Sequence, residues 1–105
     1  MHLISENHSD DRLLSRRFRA DESVVEAPVE GEVVLLHVDT GVYYGLTGVG
    51  HTIWELLKEG HTESAIVTAI HDEFEVELRV VTDDVHQLMS ELLQAGLIHS
   101  FDTEE

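Results

Sequence analysis

Eight histidines, 22 carboxylates, scattered serines and a run of glycines are the groups in this 105-residue chain that could do chemistry, and their spacing tests each possibility. His51, His61 and His71 recur at ten-residue intervals, which no helical face repeats, and no His-x-x-x-His pair exists. His71-Asp72-Glu73 is contiguous, so on a helix its side chains diverge. Ser23, Ser64, Ser90 and Ser100 lack the glycine frame of a nucleophile elbow. Gly41, Gly45, Gly48 and Gly50 are not followed by Lys-Ser or Lys-Thr, and an acidic setting does not suit phosphate. The carboxylates are too numerous to single out an acid/base pair. With no cysteine, disulfides, thiolate nucleophiles and sulfur-ligated metals are excluded. The expectation is a protein without catalytic groups, metal or cofactor.

Charge narrows the partners. Six basic residues against 22 acidic ones leave a net charge of −16, and such a surface repels a phosphate backbone, so DNA and RNA are not expected partners. Four of the six bases (Arg12, Arg16, Arg17 and Arg19) precede Ala20. No apolar run reaches membrane-spanning length and the N-terminus lacks a signal-peptide core, so a cytoplasmic protein is expected.

The length suits one small domain. Residues 1–20 show no sustained period and read as a flexible arm, residues 21–100 as the folded body, and 101–105 as an acidic tail. Within the body, Ser23 to Ala27 reads as a first strand stopped near Pro28, and Glu32 to Val38 as a central strand of β-branched and apolar residues. The Asp39-Thr40-Gly41 turn leads to Val42–Leu46, where Val42, Tyr44 and Leu46 alternate with Tyr43 and Gly45 as in a strand. Short turns make the three strands an antiparallel meander with the first and third at its edges.

After Gly48 the period changes to that of a helix. Val49, Ile53, Leu56 and Leu57 share one face up to Gly60, with Trp54 expected in packing. A second helix starts after the N-cap Thr62 and buries Ile66, Ala69 and Ile70. The third carries Leu78, Val81, Val85, Leu88, Leu92 and Ala95 and stops at Gly96. Met89 and Leu93 widen its stripe beside Val85, flanked by Thr82 and His86. Either the core is deeper there, or that side lines a groove beside the sheet. The fold class is α+β, three antiparallel strands followed by three helices.

The segments VVLLHVDTGVYYGLTGVGHTIWELLKEGHT and AIHDEFEVELRVVTDDVHQLMSELLQAGLI resemble the PqqD family, small proteins also called RiPP recognition elements. The shared marks run from Asp39-Thr40-Gly41-Val42-Tyr43-Tyr44 through Leu46, Gly50, Ile53-Trp54, Leu57 and Gly60-His61-Thr62 to Asp84-Val85, Leu88, Leu92 and Gly96-Leu97. The resemblance implies a winged helix-turn-helix-like fold without enzymatic activity. It also implies a role in holding the leader segment of a ribosomally made precursor peptide for a modifying enzyme. That enzyme is a radical S-adenosylmethionine protein in pyrroloquinoline quinone (PQQ) assembly, or a leader peptidase and cyclase in lasso-peptide systems; the Tyr-Tyr-Gly-Leu and Gly-x-x-Ile-Trp runs lean to the lasso type.

The residues give this a physical route. An edge strand has unpaired N–H and C=O groups that an extended peptide can satisfy as a fourth strand. Side-chain pockets would lie between Val42, Tyr43, Tyr44 and Gly45 and the Thr82, Val85, His86, Met89 and Leu93 side of the third helix. Two alternatives share the pattern: a structural or adaptor subunit of a maturation enzyme, and a winged-helix DNA-binding regulator. The second needs a basic recognition helix, and the third helix sets one Arg79 against Asp83, Asp84 and Glu91.

Overall fold

The computed structural model describes residues 15–101. Their order is β1 (Arg17–Ala20), β2 (Val24–Val29), β3 (Glu32–His37), β4 (Tyr43–Thr47), α1 (Gly48–Lys58), α2 (Glu63–Phe74), α3 (Leu78–Gln94) and β5 (Ile98–Phe101). The β2-β3-β4 meander is antiparallel throughout, and β1 and β5 form a separate two-stranded antiparallel sheet. The expected three strands and three helices are present. The arm, however, ends earlier than its expected limit at residue 20, because Arg17–Ala20 is strand and pairs in register with Ile98–Phe101. Phe18 sits in the core at 1% exposure, and Arg17 Nε donates to Gly60 O at 3.0 Å. The body therefore extends beyond 21–100 at both ends. The rest of the expected arm, 1–14, and most of the tail, 102–105, lie outside the described residues.

Alternation decides which face of the meander is covered. Val33, Leu35, His37 and Leu46 are buried, while Val25, Val29 and Tyr43 on the opposite face are exposed. Hydrophobic burial drives this arrangement: the inner face joins Ile53, Trp54 and Leu57 of α1, Ile66, Val67 and Ile70 of α2, and Val81, Val85, Met89 and Leu92 of α3 in one cluster. Leu97 and Ile98 close it from the C-terminal side.

Local chemistry sets the element ends. The β2–β3 hairpin turns on Glu30-Gly31, with Gly31 at φ 76°, a conformation that costs a glycine little. Pro28 falls inside β2 rather than after it. Its missing N–H belongs to the outer edge: Val38 N donates to Ser23 O, so the β2–β3 ladder bonds fall on odd-numbered β2 residues. The β3–β4 turn is organised by His37, whose Nδ1 accepts from the N–H groups of Asp39 and Thr40, each at 3.3 Å, while Ser23 Oγ donates to Asp39 at 2.9 Å. Thr62 caps α2 as expected, its Oγ1 accepting from Ala65 N at 3.1 Å.

Candidate functional site

The phase of the β3–β4 ladder determines what β4 offers to a partner. His37 N donates to Val42 O at 2.9 Å, so in this antiparallel register the pairs Leu35/Tyr44 and Val33/Leu46 face inward along the ladder. The alternate residues Tyr43 and Gly45 therefore point their N–H and C=O groups away from β3. Among the described residues β3 is the only strand neighbour of β4, so these groups form an open edge. The opposite rim of the sheet, β2, is blunted by Pro28.

Beside the open edge, Tyr44 turns inward and its hydroxyl donates to the carboxylate of Glu91 on α3, which also accepts from Gln87 Nε2 at 3.2 Å. The bond from Tyr44, and then that from Gln87, holds the Glu91 carboxyl below the usual carboxylate range. The same bond raises the Tyr44 phenol above its ordinary value. This bridge identifies the α3 flank that faces β4. At about 100° per residue, Asp84 and Leu88 share the Glu91 flank, whereas His86 lies about 140° away.

The expected site residues therefore divide. Tyr43, Tyr44 and Gly45 do lie along β4, with Tyr43 exposed to 73%. Val42 is at the corner, its carbonyl taken by His37. Val85 and Met89 are fully buried, so Met89 extends the core and lines no groove. His86 Nδ1 pairs with Glu63 Oε2 of α2 at 3.0 Å, which turns its flank, shared with Thr82 and Leu93, away from β4. The helical period fixes which residues share a flank, while the sense in which the helix is laid on the sheet fixes which flank meets β4. Glu91, the α3 side chain bonded to β4, stood in the sequence without a signal to select its flank.

Two further polar clusters hold the body together. Glu63, 0% exposed, joins Arg16 at 3.4 Å to His86 and so ties the start of the described chain to α2 and α3. Asp21 receives His99 Nε2 at 2.6 Å and His37 Nε2 at 3.2 Å. The His99 contact, followed by the Ser23 N–H, keeps the Asp21 carboxyl below its ordinary range. Among the described residues no group of His, Asp and Glu side chains could hold a metal ion, and no helix is long and apolar enough to cross a membrane.

The family model of coenzyme PQQ synthesis protein D (PqqD) matches residues 32–98, which spans β3 to the start of β5. Two solved structures share the architecture at TM-score 0.74. One, TbiB1 in complex with the TbiA(beta) leader peptide, is 38% identical and aligns 80% of this chain with 98% of its own. The other, a lasso peptide synthetase B1 complexed with the leader peptide, is 25% identical over 79% of this chain and 98% of that one. No curated protein matches the chain.

Proposed function

Because the chain belongs to the PqqD family, we propose that it binds the leader segment of a ribosomally made precursor peptide as a fourth strand on β4 and hands it to a modifying enzyme. The observation that carries this reading is the open edge at Tyr43 and Gly45 beside the Asp84–Leu88–Glu91 flank of α3. Main-chain bonds along the edge supply affinity to any extended segment, and side chains between strand and helix select among segments. The two similar solved structures, each a leader-peptide complex, support it and favour a lasso-type leader and a leader peptidase as the enzyme served. In this reading the chain itself is non-catalytic and acts in the cytoplasm, where ribosomal precursors are made.

Fluorescein-labelled leader peptides from precursors encoded near this chain test the reading by polarisation. A saturable rise with the purified chain alone is the expected result. A rise that appears only after the enzyme is added would replace it with an adaptor role that leaves the peptide to the enzyme.

A further inference from the structure

Among the described residues nothing covers the face of the β2-β3-β4 sheet turned away from the helices, and that face is largely apolar. By register, Val25, Leu36 and Tyr43 form one row across the three strands, and Val34 and Val29 continue it toward the Glu30-Gly31 hairpin. Val38 extends it at the other end, since Val38 N donates to Ser23 O and so keeps the phase of β3. Val25, Val29, Val38 and Tyr43 are exposed to 50%, 51%, 55% and 73%. Exposed apolar side chains are ordinary when scattered, but a contiguous set on one sheet face marks an interaction surface.

Charge on the same face selects the occupant. Glu32 lies on it, with Glu30 at the hairpin tip and Asp39 at the opposite turn, and no lysine or arginine occurs in β2, β3 or β4. A second copy of a chain with net charge −16 would set these carboxylates against their own kind. The patch spans about 10 Å across the strands and about 20 Å along them. That is the apolar centre of an interface of about 800 Å² a side, too little alone for a permanent dimer.

We propose that this face docks a second protein whose surface has an apolar centre ringed by lysine and arginine, borne by the enzyme that acts on the bound leader. The proposal rests on the peptide reading above and adds the place of the enzyme. Tyr43 joins the two surfaces: its backbone belongs to the open edge and its side chain to the outer face. An enzyme seated on the face lies alongside the guest strand, at the rim where the leader leads on to the segment to be modified. Apolar contact and charge complementarity divide the work, the first setting the lifetime of the complex and the second its rate of formation.

The test uses the full chain, a purified leader peptidase from the same source, and the labelled leader. The double variant Val25→Glu/Val29→Glu changes side chains already half-exposed on the rim far from β4, so its leader affinity is expected to stay within about twofold of wild type. Its affinity for the enzyme, by biolayer interferometry, is expected to fall by about tenfold or more. Independently, Glu30→Lys/Glu32→Lys is expected to slow association with the enzyme and to flatten the salt dependence of the wild-type rate. Enzyme affinity unchanged in Val25→Glu/Val29→Glu would overturn the proposal. So would a wild-type dimer in sedimentation that the same variant dissolves, because a second copy would then cover the face. A leader that fails to bind wild type, while the variant still loses the enzyme, would overturn the peptide reading and leave the docking face standing.

Discussion

Replacing Gly45 by proline removes one main-chain donor from the open edge without touching the ladder to β3. Gly45 opposes Val34, an alternate pair whose N–H and C=O groups turn away from the partner strand, so its N–H serves a guest and nothing else in the sheet. A Cβ built at Gly45 meets nothing within 4 Å, and the position needs no left-handed backbone, so the ring has room at an edge that tolerates proline. One backbone hydrogen bond is worth about 0.5–1.5 kcal/mol net, and a guest carbonyl left facing the ring loses about 1–3 kcal/mol if desolvated. Together these come to about 1.5–4.5 kcal/mol and predict leader binding weaker by roughly tenfold to a thousandfold. Gly45→Ala keeps the donor and is expected to bind within about twofold of wild type. Polarisation titrations of both variants, paired with thermal melts, make the measurement. A folded Gly45→Pro that binds leader like wild type would show that the guest strand does not pair with β4.

Three other outcomes follow from the packing and the ion pairs. Met89→Ala, at a position with 0% exposure, is expected to cost about 2–5 kcal/mol in urea unfolding, and a loss below about 1 kcal/mol would return Met89 to a groove. Tyr44→Phe deletes the strongest partner of Glu91, so the Glu91 carboxyl is expected to titrate at higher pH by NMR; an unmoved titration would mean the β4–α3 bridge is absent in solution. Asp21 has its folded pKa depressed, so its contribution is complete above the ordinary carboxylate range and is lost as pH falls through the folded value. The gap in melting temperature between wild type and Asp21→Asn is therefore expected to narrow as pH falls through and below the ordinary carboxylate range, and a gap that persists in acid would assign the effect to packing.

Where a period ran long enough, the sequence carried the answer. Alternation from Glu32 and the i, i+3, i+4 stripe of α3 found their elements, and Thr62 and Gly96 fixed two helix ends within a residue or two. β1 and β5 escaped because each is four residues long with a single buried side chain, Phe18 and Ile98, too few to display a period. Met89 was ambiguous for a physical reason: a wide apolar arc on a helix is equally the mark of a deep core and of a groove. The choice of α3 flank depends on how the helix lies on the sheet, which no local pattern encodes. His37 looked like one unplaced histidine among eight, yet its ring nitrogen gathers the turn that starts β4.

Pro28 bears on stoichiometry. A sheet with two receptive rims could take an extended chain on each side, or link host to host into a growing ribbon. With a ring in place of a donor on the β2 rim, lengthening is disfavoured there, so the proposed guest strand has one receptive side and a pairing of one host to one guest is the expected outcome.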